Sequence, residues 1–130
     1  MKTATIKYSK GKILADFAIY SNHDGKYFNL AIPAFDIFYF TEDENEIKNM
    51  GATLVERYFR LKLIDNNKSV AAIFKDLLKM GFSANTTKDQ VIKRVGSKHD
   101  VTVNSDVAGW ASENGWKFLT NANSSYLKAA

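Results

Sequence analysis

With 130 residues, 45% of them hydrophobic and 25% charged, the chain has the length of one domain and an ordinary globular composition, which excludes a disordered chain and two large cores. It has no cysteine, so disulfides, thiolate metal sites and a cysteine nucleophile are excluded, and a reducing compartment fits. The opening residues MKTATIKYSKGK hold no apolar run of signal-peptide length, and no stretch approaches a membrane span. A cytoplasmic protein without a membrane segment is expected.

The net charge of +4 is unevenly placed. Asp36, Glu42, Asp43, Glu44 and Glu46 fall in residues 36 to 47 with no base among them, whereas residues 68 to 100 carry seven bases against three acids. A basic second half of this kind meets nucleic acid, an acidic partner, or only solvent.

Thr3 to Tyr8 alternates like a strand, Lys10-Gly11 marks a turn, and Ile13 to Tyr20 runs back with Ile13, Ala15, Phe17 and Ile19 on one face. Asn22-His23-Asp24-Gly25 signals a second turn. The third strand, Tyr27 to Ile32, stops at Pro33, which lacks the amide donor a ladder needs. After the Ala34-Phe35-Asp36 corner, Ile37 to Phe40 forms a short strand with apolar residues on both faces, each expected to find cover. These four strands form an antiparallel meander.

Thr41 and Glu44 fit a capping box, and the acidic run opens a helix whose positive dipole end it favours. From Glu46, the residues Ile47, Met50, Leu54, Val55, Tyr58, Phe59, Leu61 and Ile64 repeat at helical spacing, so a long amphipathic helix is expected over the sheet. Gly51 interrupts it, which points to close packing there. Asp65-Asn66-Asn67 is the candidate boundary between a sheet-plus-helix unit, 1–67, and a smaller, mainly helical part, 68–120. In that part Ser69 caps a helix ending at Gly81, and Thr87 with Gln90 caps a short one ending at Gly96. Asp100 to Val103 is strand-like, Ser105 opens a helical turn, Trp116 to Leu119 is extended, and 121–130 is expected to fray. Trp110 and Trp116 either pack this end onto the first unit or mark a subunit contact.

No catalytic constellation stands out. GxGxxG, Walker, HExxH and GxSxG motifs are absent, so no catalytic residue, cofactor or metal is assigned and a non-enzymatic role is expected. His23 reads as a turn residue. His99, beside Gly96, Ser97 and Lys98, is the one imidazole with companions suited to RNA: it can exchange a proton with a ribose hydroxyl while Lys98 holds a phosphate. Lys93, Arg94, Lys98 and His99 are therefore the candidate nucleic-acid contacts of an RNA-binding or ribonuclease-like protein. The aromatics Tyr27, Phe28, Phe35, Phe38, Tyr39 and Phe40 lack the interleaved bases of a stacking platform and read as core.

Asp24-Gly25, the strand Tyr27 to Ile32, Pro33-Ala34-Phe35, Ile37 to Phe40, Thr41-Glu42-Asp43 and the helix from Glu46 together resemble the HicB family of antitoxins. The resemblance implies a partial ribonuclease-H-like fold of three or four antiparallel strands with a helix on one face. It also implies a partner, a small basic ribonuclease toxin, for which Glu42, Asp43, Glu44 and Glu46 offer a complementary patch beside an exposed sheet edge. The chain departs from the family in lacking a glycine after the proline corner, where Asp36 and Ile37 stand, and in having an extra N-terminal strand. Its second half does not read as an operator-binding tail. A third class, a homo-oligomeric structural module, remains open on the sequence alone.

Overall fold

The structure, a computed structural model, describes residues 3–127. The chain runs β1 (Ala4–Ser9), β2 (Lys12–Asp24), β3 (Tyr27–Ile32), a 3-10 turn (Pro33–Phe35), β4 (Ile37–Thr41) and α1 (Glu44–Arg60), which continues as a π-helical turn (Leu61–Asp65). Then come α2 (Val70–Lys79), α3 (Lys88–Gly96), β5 (Val101–Ser105), α4 (Ala108–Glu113) and β6 (Lys117–Leu127). The fold is α+β, an antiparallel sheet with a long helix packed on one face and smaller helices following. The sheet has six strands, with β5 and β6 joining the four of the meander.

Turn chemistry sets the meander. Lys10 and Gly11, at φ 51° and 78°, reverse β1 into β2, and both take the positive φ that a tight two-residue hairpin with right-handed strand twist requires. Residues 12–17 of β2 pair with β1, residues 20–24 with β3, and residues 12–21 with β6. A strand has two edges, so β1 and β3 lie end to end along one edge of β2 and β6 lies along the other. β4 extends the wing that starts with β3, and β5 extends the wing that starts with β1.

The expected frayed tail is corrected here. β6 runs to Leu127 against β2, and residues 128–130 lie outside those described. Pairing needs only backbone donors and acceptors, which a run of Thr, Asn and Ser supplies as well as an apolar one. A bulge at Leu119 also breaks the alternation, because Thr120 pairs with Ile19 and Phe118 with Tyr20. Leu119 in the bulge and Ala122 and Tyr126 after it therefore face the same core.

That core lies between the sheet and α1, α2 and α3. Ile13, Ala15, Phe17 and Ile19 of β2 meet Ile47, Val55 and Phe59 of α1, with Ile73, Phe74 and Leu77 of α2 and Val91 and Val95 of α3 completing the same cluster. Residues on both sides of 65–67 thus share one core. Phe35 is a hub, its ring 5.2 Å from Tyr58, 5.7 Å from Phe59, 5.8 Å from Phe82 and 6.1 Å from Phe17. After it Asp36 takes a left-handed φ of 55°, and its N–H donates to the Pro33 carbonyl at 3.2 Å.

Helix α1 begins two residues before Glu46, and its cap is Asp43 rather than the Thr41–Glu44 box. The Asp43 carboxylate accepts from Asn45 N at 2.9 Å. Thr41 instead accepts from Asp43 N at 3.1 Å and donates to the Glu46 carboxylate, so it braces the first turn from outside. Ser69 and Thr87 cap α2 and α3 as expected, accepting from Ala72 N at 3.1 Å and Gln90 N at 3.2 Å. Ser105 is the last residue of β5 and opens no helix.

Asp76 of α2 clasps the end of α1. It accepts from Lys68 at 2.7 Å and Lys62 at 3.2 Å. The Lys68 hydrogen bond, helped by Lys62, holds its carboxyl below the ordinary value of 3.8. A carboxyl depressed in the folded state stabilises the fold above its unfolded pKa, and that contribution is lost as pH falls through the folded value. Asp76→Asn is expected to lower the melting temperature at pH 7 and to leave it unchanged at pH 2, as read by thermal denaturation across that range.

At Gly51 the helix backbone lies on β2. A Cβ there would sit 3.1 Å from Ile19 Cγ1 and closer still to Cδ1, and Ile19 is itself buried. Overpacking a core costs about 1–3 kcal/mol, against the roughly 1 kcal/mol that alanine gains over glycine in a helix. Gly51→Ala is therefore expected to destabilise by about 1 kcal/mol, and Ile19→Val in the same chain to recover part of that loss. Chemical denaturation of the two single variants and the double variant reads this coupling; additive losses would contradict it.

Candidate functional site

β4 is the last strand of its wing and, among the described residues, pairs only with β3. Ile37, Tyr39 and Thr41 face the α1 side, where Tyr39 OH donates to Glu46 at 3.2 Å. Burial raises the Tyr39 phenol above its ordinary pKa, and the Glu46 carboxylate adds to this. Phe38 and Phe40 point to the opposite face and are 53% and 68% exposed. The expectation of cover on both sides of this strand fails for that face. Alternation carries the reason: the strand that ends a meander has only one neighbour to fill in around its outer face.

The cover that exists there comes from the end of the chain. Trp110 and Trp116 stack on each other at 6.1 Å and lie 5.8 and 6.3 Å from Phe38, over a small second core of Ala18, Tyr20, Ala31 and Ala111. The two tryptophans thus pack the chain end onto the first unit. Phe40 meets the edge of Tyr27 at 5.6 Å. At the start of β4 an open cavity of about 740 Å³ wraps around the corner, lined by Phe35, Asp36, Phe38, Tyr58, Met80 and Trp110 among others. Its polar edge includes the Tyr58 hydroxyl, which donates to Met80 Sδ at 3.2 Å. Burial, with Asp76 adding to it, pushes that phenol up to about 12.

The four acids expected at a partner surface stand beyond the other end of β4. Glu42 pairs with Lys26 at 3.2 Å, both side chains well exposed, so the pair is screened and weak. Asp43 is the helix cap, Glu46 takes the Thr41 and Tyr39 hydroxyls, and Glu44 opens α1. All four are exposed. Glu42 follows β4 directly, whereas Glu46 meets Tyr39 on the α1 face, opposite Phe38 and Phe40, and Glu44 borders a cavity with His23, Phe28 and Lys117.

The candidate nucleic-acid residues lie elsewhere, at the end of α3. Lys93 and Arg94 are in its last turn, Arg94 donates to the Asp100 carbonyl at 3.1 Å, and Lys98 adopts φ 61°. His99 N donates to the Arg94 carbonyl at 2.8 Å, so the Gly-Ser-Lys-His stretch closes the helix. Sequence reasoning missed a neighbouring feature: Lys75 and Lys79 of α2 and Lys88 and Lys93 of α3 border one groove of about 550 Å³ with Leu78 and Ile92 inside it. The helical spacing of these lysines was the available signal. His23 stacks on Phe28 at 4.4 Å. Among the described residues no group of three or more His, Asp or Glu is placed to hold a metal, and no helix is long and apolar enough to cross a membrane.

No family model, no curated protein and no solved structure matches the chain.

Large aromatics close in sequence thus serve opposite ends. Phe35→Ala is expected to cost about 3–5 kcal/mol by opening the hub, whereas Phe40→Ala stays within about 0.5 kcal/mol. Urea unfolding of the two variants separates them.

Proposed function

We propose that this is a non-enzymatic, partner-binding protein of the HicB-antitoxin type, which neutralises a small basic ribonuclease by covering it. The observation that carries the reading is the edge of β4, unpaired among the described residues, with exposed Phe38 and Phe40 on one face, Glu42 next along the chain, and Asp43, Glu44 and Glu46 exposed in the turn that follows. A strand edge supplies backbone donors and acceptors, an aromatic shelf supplies burial, and the acids steer a basic partner and reject an acidic one. The antiparallel sheet under one long helix supports it. On this reading the protein works in the cytoplasm, where its target acts.

The lysine groove between α2 and α3 favours a second reading, binding of RNA or another polyanion, with Lys93, Arg94, Lys98 and His99 at one end of the contact.

Co-purification of the tagged chain from its own cells separates the two. The antitoxin reading expects a small basic protein encoded beside this one to be retained, and expects the double change Glu42→Lys with Glu44→Lys to weaken that retention at least about tenfold. A monodisperse chain without a companion contradicts it. RNA affinity that falls steeply with salt, or RNA cleavage lost in His99→Ala, supports the second reading instead.

A further inference from the structure

β4 is uncharged and free of proline from Ile37 to Thr41. Neither of the usual devices that block an edge strand is present within it. Just beyond its two ends stand acids, Asp36 and Glu42. This arrangement discriminates between occupants. Two copies pairing antiparallel about Tyr39 would set Asp36 opposite Glu42 of the other copy, twice; an in-register parallel pairing would set each acid against itself. Like charges directly opposite destabilise a strand pair. A strand with basic residues at both ends meets the opposite situation, since the exposed Lys26–Glu42 pair exchanges readily for a stronger contact.

The shelf beside the edge has a matching period. Phe38 and Phe40 are two residues apart on one face, so an incoming strand presents apolar side chains to both with the same spacing. The cavity at the Asp36–Phe38 corner has room for a large side chain at that end.

We infer that the free edge of β4 is a strand-addition site for an extended segment of a basic partner, with alternate apolar side chains over Phe38 and Phe40 and a lysine or arginine at each end facing Asp36 and Glu42. This rests on the partner-binding reading and specifies how that partner is held. Backbone hydrogen bonds supply the attachment, and the two acids supply the selection against a second copy.

The probe is a synthetic peptide of alternating valine and phenylalanine with lysines at both ends, added to the full-length isotope-labelled chain. It is expected to shift the amide signals of residues 37–41 and the emission of Trp110. A glutamate-ended version of the same peptide is expected to bind at least tenfold more weakly, and methylation of the lysine peptide's pairing amides to abolish its binding. Asp36→Asn with Glu42→Gln is expected to bring the two peptides within threefold of one another. Equal binding of the two peptides to the unaltered chain, no binding of either, shifts that map to α2 and α3, or dimerisation of the chain through β4 would overturn the site. A companion that co-purifies while leaving the 37–41 amides exchanging as fast as in the free chain also overturns it, with partner binding left standing. Discrimination between the peptides without any companion supports the site and removes the antitoxin reading.

Discussion

The structure depends on β2 being long enough to serve two partners on one edge and a third on the other. Thirteen residues, Lys12–Asp24, allow β1 to take one end and β3 the other while β6 runs past both. Closing both edges of the central strand satisfies its backbone groups and lets its apolar face, Ile13 through Ile19, go fully under the helices. At Gly51 the absence of a Cβ lets α1 come down onto Ile19. The remaining elements follow from these contacts: the helices after residue 69 fill the core over the β1 wing, while β4 is left as the outer strand of the other wing.

That division has a functional consequence. Trp110 and Trp116, brought round by β5 and α4, pack against Phe38 but leave it and Phe40 more than half exposed. An apolar strand end with a free edge is a hazard in solution unless something occupies it. The acids that follow β4 in the chain serve the fold. Asp43 and Glu46 organise the first turn of α1. On the partner-binding proposal, capping and partner selection would draw on neighbouring side chains of one short run.

Much of this was legible in the sequence, for physical reasons. The long helix, the Ser69 and Thr87 caps, the glycine turns and the proline stop are local signals, each fixed by a few neighbouring residues. The cap at Asp43 was misplaced onto Thr41 because both residues suit the role and only the backbone decides. The start of β6 was legible as an extended piece, but its continuation past residue 120 was not, because the bulge at Leu119 shifts its phase and its pairing partner lies about a hundred residues away. The exposure of Phe38 and Phe40 depends on where β4 ends up in the sheet, which composition cannot express. For the acids, the sequence showed the charge run but not which of them cap α1; for the lysines, it showed a scatter that the α2–α3 pairing gathers into one groove.

The central claim is that the isolated chain holds β2 closed on both edges while leaving the outer edge of β4 open. Native-state hydrogen exchange, resolved by residue, tests it most directly. The slowest amides should be those of residues 13–20, exchanging only with global unfolding, and within 37–41 alternate amides should exchange far faster than their neighbours. Uniform protection across 37–41 equal to that of β2, or rapid exchange along residues 13–20, would contradict the account.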